Sequence, residues 1–337
     1  LEKLRDEGVR IVSASLSWPI WRGDGRGPGY DLFETARRDF NMLFIESAGN
    51  YARSFYSATF TDTDYDNLHE FKQGWLGTTI KEDEQNRVYL PKCGHLSVEL
   101  EWDDWGNDPQ NPAPASKYDL VLRDPNGTEV ARGEPSDYPG MASAPYRWFN
   151  FEWPGGAQSY LEYEIEIVGY ANNQAQRKLR LMIRGTYSDG GLERYAEAGS
   201  LSAYGDSEFV FSVAAASVRD EKLESYSSRG PTTDRRIKPD ITGYANVATA
   251  SYANNAFNGT SAAAPHVAGA AVLMLQTHPG ATADELARLL EGSAAGKGSP
   301  GKDTQFGAGL VRLPALQLAL NILAPTTAAP DFVGAPA

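Results

Sequence analysis

The apolar period of this chain changes twice, and that change limits the fold more than any other feature. Before Asn50, Val9 to Ser17 reads as a buried strand and Met42 to Ile45 as a second, short one. Between them, Asp31 to Asn41 reads as an amphipathic helix with Leu32, Phe33, Ala36 and Phe40 on one side. Strand, helix and strand at this spacing predict a crossover in a parallel sheet. From about Tyr51 to Gly199 the period becomes two. Leu96, Val98, Leu100 and Trp102 alternate with Ser97, Glu99 and Glu101. Leu161, Tyr163, Ile165 and Ile167 alternate with Glu162, Glu164 and Glu166, and Leu179, Leu181 and Ile183 with Arg180 and Arg184. Strands with one wet face, broken by turns such as Asp124-Pro125-Asn126-Gly127, predict an antiparallel sandwich.

From Ser200 the first pattern returns. Phe209 to Ala215 is a buried strand, and Tyr226 to Pro231 and Lys238 to Ile241 are polar connectors. Thr282-Ala283-Asp284-Glu285 is a capping box that opens a helix carrying Leu286, Leu289 and Leu290. The expected fold class is therefore α/β with a parallel sheet, in two pieces at 1–50 and 200–325. An antiparallel β-sandwich is inserted at 51–199, and an Ala- and Pro-rich tail follows at 326–337.

A chain of 337 residues can bury the cores of about two such domains. A net charge of −13 with no basic stripe argues against nucleic acid as a partner. Cys93 is the single cysteine, so no intrachain disulfide forms and the redox compartment stays open. No apolar run reaches the roughly 18 residues of a membrane span. The chain opens on Leu1 and not Met, which suggests a trimmed, processed or fragmentary start.

The chemistry concentrates in Asn258-Gly259-Thr260-Ser261-Ala262-Ala263-Ala264-Pro265-His266-Val267-Ala268-Gly269. Asn258 and Gly259 make a turn, and the apolar run to Leu275 is long enough for a buried helix. Pro265 is expected within the helix's first turn, where a missing N–H matters little. Ser261 thus sits at a helix N-terminus, where N–H groups and the helix dipole stabilise negative charge. From the residues alone it is either an N-cap or a nucleophile.

The whole string resembles the nucleophile motif of the subtilisin-like serine proteases, with Gly259 to Gly269 matching throughout. Tyr226 to Pro231, Lys238 to Ile241 and Gln305 to Leu310 also resemble subtilase segments, the last preceding a closing helix at Leu313 to Leu323. Trp102-Asp103-Asp104 and Tyr118-Asp119-Leu120 resemble the β-sandwich insert of some large subtilases. The resemblance implies a partial three-layer subtilisin-like domain and a secreted or extracytoplasmic location. It implies that Ser261 is the acyl-forming nucleophile and that Asn50, ending Ser47-Ala48-Gly49-Asn50, supplies an oxyanion-hole amide. His266 is then a packed, hydrogen-bonded helix residue and not the base. Ser15-Leu16-Ser17 and Ser47-Ala48-Gly49 resemble the two edges between which peptide substrate is bound by strand addition.

Ser17 stands where glycine is usual, and Glu46 where a small apolar residue is usual. Glu46 either favours basic side chains in the primary pocket or pairs internally. The family's chain order of Asp, His and then Ser puts the base and its carboxylate before this segment, on an upstream fragment. Calcium is implied by the resemblance alone; Glu101, Asp103 and Asp104 read as a solvated acidic edge without ligand spacing. The expected function is a serine endopeptidase acting on peptide or protein. The rival is a non-catalytic scaffold that binds protein or glycan through its sandwich.

Overall fold

The computed structural model describes residues 1–16, 22–71, 84–106, 114–136, 142–153, 155, 159–170, 176–185, 191–252 and 257–313. Ser17, the expected closing helix beyond Leu313 and the tail at 326–337 lie outside them. Among the described residues no helix is long and apolar enough to cross a membrane.

The first part comprises α1 (Glu2–Asp6), β1 (Ile11–Ala14), α2 (Tyr30–Arg38) and β2 (Leu43–Ser47). After β2 come eight strands: β3 (Phe55–Thr59), β4 (Asn86–Pro91), β5 (His95–Trp102), β6 (Tyr118–Arg123), β7 (Glu129–Arg132), β8 (Tyr146–Glu152), β9 (Tyr160–Gly169) and β10 (Lys178–Gly185). The chain then makes β11 (Val210–Ser217), β12 (Ile241–Ala245), α3 (Thr260–Thr277) and α4 (Ala283–Ser293).

β1, β2, β11 and β12 form one parallel sheet in the order β1-β2-β11-β12. β2, β11 and β12 are largely buried on both faces, whereas β1 at the edge is only partly buried and exposes Ser13. Helix α3 lies on one face, where its alanines share a core with Leu43, Ile45, Val213 and Ile241. Small residues let helix and sheet backbones approach closely. At Gly243 on β12, an added Cβ would collide with the Ala263 carbonyl of α3. Gly243→Ala is therefore expected to destabilise the chain by about 1–3 kcal/mol through overpacking, read from urea midpoints. On the other face Phe33 of α2 meets Phe44 edge-on at 5.3 Å. The expected apolar side of α2 needs one correction. Leu32 is 52% exposed, and buried Tyr30 takes its place because its hydroxyl reaches Asp206 Oδ1 at 2.7 Å. The capping box forms as expected: Thr282 accepts the Glu285 N–H, and Glu285 accepts the Thr282 N–H at 2.8 Å.

The other eight strands form two antiparallel sheets, β3-β10-β5-β8 and β4-β9-β6-β7. The apolar sets of both, from Leu96 to Ile183, meet in one core that includes Trp102, Tyr118 and Phe71. Period two thus identifies the inner face of each strand correctly. The expected wet face does not hold for the first of these sheets. Glu99, Glu101 and Arg180 are 1%, 2% and 5% exposed. That face packs on the parallel-sheet part, where Phe55 and Met182 cluster with Tyr51, and Trp105 and Tyr146 with Ala203. Its charges are buried as pairs, Arg180 to Glu101 at 2.8 Å and Arg184 to Glu99. Pairing is what makes burial of such groups tolerable. The expected solvated acidic edge holds for exposed Asp103 but is corrected for Glu101 and Asp104 on the same ground. Glu101 also accepts Trp105 Nε1, and Asp104 accepts the Ser116 N–H and ion-pairs with Arg177 at 2.9 Å. Burial pushes Asp104 up, but its Ser116 bonds and Arg177 outweigh that and hold it below the ordinary carboxylate range.

The chain leaves the parallel-sheet part after Asn50 and returns near Ser200, and the two places adjoin. Ser202 N–H donates to Ala48 O at 2.9 Å. Tyr51 N–H donates to Ser228 Oγ at 3.0 Å, and Ser200 N–H to the neighbouring Arg229 O at 3.0 Å.

Candidate active site

Ser261 is the second residue of α3, half-buried at the helix mouth. Gly259, at φ 85°, turns the chain into the helix in a conformation that disfavours a side chain. No side chain of its own caps the helix. The cap comes instead from Asn50, 210 residues earlier, whose Oδ1 accepts the Thr260 N–H at 2.9 Å and Thr260 Oγ1 at 3.0 Å. Those two bonds orient the Asn50 amide. Its Nδ2 stands beside Gly259, 3.0 Å from where a Cβ would be, and meets no acceptor among the described residues. In the first helical turn the Ser261 N–H has no intrahelical acceptor either. Asn50 Nδ2 and the Ser261 N–H are thus both donors at the helix mouth.

Further ties hold the helix mouth. Tyr226 Oη accepts the Gly259 N–H at 2.9 Å, and burial pushes the Tyr226 hydroxyl up to about 12. Ser15 Oγ donates to the Ser261 carbonyl at 2.9 Å, and Gly49 N–H to Thr260 Oγ1 at 3.3 Å. Thr260 and Tyr226 were missed as supports in the sequence. Both lie inside recognised motifs, but nothing in their spacing says what they touch.

Five of the six expected substrate-edge residues are described, and they divide by exposure. Ser15 and Leu16 are exposed, Leu16 at 58%. Ser47, Ala48 and Gly49 are buried. Ala48 donates its N–H to Val213 O and accepts the Ser202 N–H, both at 2.9 Å, and Gly49 O accepts the Ser228 N–H at 2.9 Å. Ser47 Oγ donates to Leu16 O at 3.2 Å, joining the two edges.

None of the four histidines hydrogen-bonds Ser261. His69 is fully buried in the antiparallel core, 3.0 Å from Tyr56 Oη, and accepts the Thr61 N–H at 3.1 Å. His95 stands on β5 opposite Glu152, and His278 ends α3. His266 is hydrogen-bonded as expected, with Nδ1 2.8 Å from Ala262 O, but it is exposed and not packed. Among the described residues nothing covers this side of α3: Pro265, Gly269, Val272 and Leu273 are exposed along it.

Glu46 resolves toward the interior. It is 2% exposed, on the face of β2 shared with Phe44 and turned away from α3. Burial first, then nearby Asp206, pushes its carboxyl well above the ordinary range, and Lys238 offsets only part. A carboxyl raised in this way binds more protons folded than unfolded. Its contribution to stability is therefore greatest below the ordinary carboxylate range and declines as pH rises toward the folded value. Glu46→Gln should raise stability at pH 8 by about 1–3 kcal/mol and flatten the fall in melting temperature between pH 5 and pH 8. Equal pH slopes in parent and variant would show that Glu46 does not carry the effect.

Asp62, Asp64 and Asp66 bring carboxylate oxygens within 4.8 Å of one another. Asp62 accepts the Asp66 and Asn67 N–H groups, and Asp66 that of Leu68, so these side chains close an exposed turn.

The model of the subtilase family (Peptidase_S8) matches residues 170–309. Among solved structures, the CspB protease of Clostridium perfringens is similar at a TM-score of 0.60 and 15% identity, over 93% of this chain and 66% of that one. A lanthipeptide protease and sphericase match at TM-scores of 0.26 and 0.29, each at 24% identity, over 33% and 35% of this chain and 41% and 44% of theirs. This chain thus spans less than two thirds of each of these proteins, and at such identities the first likeness is one of fold.

Proposed function

We propose that this chain, whose residues 170–309 match the subtilase family model, is the nucleophile-bearing part of a serine endopeptidase of that family. The observation that carries this reading is the cap that Asn50 places on α3, with Nδ2 left open beside the mouth that holds Ser261. A structural cap alone needs only Oδ1. In this reading Ser261 Oγ attacks the scissile carbonyl, and the resulting oxyanion lies between Asn50 Nδ2 and the Ser261 N–H. The substrate runs along the exposed Ser15–Leu16 edge, over a wall made of Ser47, Ala48 and Gly49. The antiparallel sheets are a β-sandwich inserted after Asn50.

The general base and its orienting carboxylate come from a segment that docks on this chain. Two surfaces support docking: the uncovered apolar side of α3, and β1, which pairs with β2 alone among the described strands. A helix side with Val272 and Leu273 half exposed and an open strand edge are both unfavourable until covered.

The deciding experiment is fluorophosphonate labelling of the chain alone and of the chain joined to an upstream segment that carries the two residues. Labelling only in the joined form is expected. Strong Ser261-dependent labelling of the chain alone would mean that one of its own histidines is the base. No labelling in either form would favour the non-catalytic scaffold.

A further inference from the structure

A pocket of about 270 Å³ opens where the parallel-sheet part meets the first antiparallel sheet. Arg22, Asp24 and Thr233 line it from one part, and Asp103, Trp105 and Lys178 from the other, beside the Glu101–Arg180 pair. The carboxylates facing this space are already engaged. Asp24 accepts Arg22 Nε and Nη2 at 3.1 and 2.8 Å and the Arg26 N–H at 3.1 Å. Glu101 accepts Trp105 Nε1 at 2.9 Å and Arg180 Nη1 at 2.8 Å, and Asp103 the main-chain N–H of Lys178 at 2.9 Å.

Two donors at the pocket are left over. Arg22 Nη1 is enclosed and meets no acceptor among the described residues, although the rest of the guanidinium is held on Asp24 and lies 5.6 Å over the Trp105 ring. Lys178 Nζ has no partner among the described residues, and its side chain is exposed. We propose that this pocket binds a small oxyanion, a carboxylate or phosphate group, held between Arg22 Nη1 and Lys178 Nζ. An enclosed guanidinium N–H without an acceptor is unfavourable, and a charge-assisted bond to an anionic oxygen is the strongest relief open to it. Because the two donors come from different parts of the chain, the ligand ties the antiparallel sheets to the parallel-sheet part. This site does not depend on the peptidase reading.

The test is titration calorimetry and thermal melting of the 337-residue chain with sodium phosphate and with sodium acetate, against sodium chloride of equal ionic strength. One-site saturation with Kd of about 1 mM or tighter is expected, with a melting temperature above that in chloride. Saturation by phosphate alone assigns the phosphate group, and by acetate alone the carboxylate. Lys178→Gln should weaken binding by about tenfold, while Lys178→Arg should retain it. Failure of both anions to saturate, or unchanged affinity in Lys178→Gln, overturns the proposal.

Discussion

Ser261→Ala should abolish fluorophosphonate labelling and lower peptide turnover by about 10⁶ once the chain is joined to a segment supplying base and carboxylate; the scale is that of the subtilisin nucleophile itself. The more informative change is at Asn50, because its two amide atoms do different things. Oδ1 caps α3 through the Thr260 N–H, and Nδ2 is the donor left for an oxyanion. Asn50→Ala removes both. It should cost about 1 kcal/mol of stability from the lost cap and about 10²–10³ in kcat from the lost donor, the latter a magnitude borrowed from subtilisin. Asn50→Asp separates them: the carboxylate still accepts the Thr260 N–H at the positive end of the helix but repels an oxyanion. Its melting temperature should stay near the parent's while kcat falls at least as far as in Asn50→Ala. If both variants lose stability and keep kcat, Asn50 is a cap and nothing more.

Arg180→Met is expected to destabilise the chain by about 3–5 kcal/mol, the range for leaving one partner of a buried ion pair alone. Arg180 and Glu101 are both nearly fully buried, on the face of the antiparallel sheet that meets the parallel-sheet part. Burial already pushes the Glu101 carboxyl above its ordinary range, with Arg180 and then the Trp105 bond pulling it back. Without Arg180 that carboxyl should rise further and take up a proton on folding. The loss should then be largest at pH 8 and shrink as pH falls toward the raised Glu101 value, where the neutral acid is buried more cheaply. Adding Glu101→Gln to Arg180→Met should recover part of the stability at pH 8 and remove this added pH dependence. Urea unfolding of the parent and the two variants at pH 5 and pH 8 reads both effects. An exposed pair would give about 0–1 kcal/mol with little change between the two pH values.

Local pattern was enough for several elements and their inner faces, but not for β12, whose first residue, Ile241, falls in an expected connector. Period two names Leu96, Val98, Leu100 and Trp102 as core because alternate strand residues must share a side. The Thr282–Glu285 box marks the start of α4 because both of its bonds are made within four residues. The turn at Asn258-Gly259 before an unbroken apolar run puts Ser261 at a helix mouth for the same local reason.

What the pattern could not decide was which side of a charged strand meets water, since an alternating glutamate looks alike on a wet face and in a buried pair. Glu99 and Glu101 are buried because Arg184 and Arg180, about eighty residues on, stand on the neighbouring strand. Glu46 is enclosed because Asp206 and Lys238 come to it from segments far along the chain. His266 is exposed although its motif suggests a packed residue, because packing depends on what covers the outer side of α3. The orientation of the Asn50 amide belongs to the same class. The motif names the residue, but its direction comes from Thr260, 210 positions later, and only the tertiary fold brings the two together.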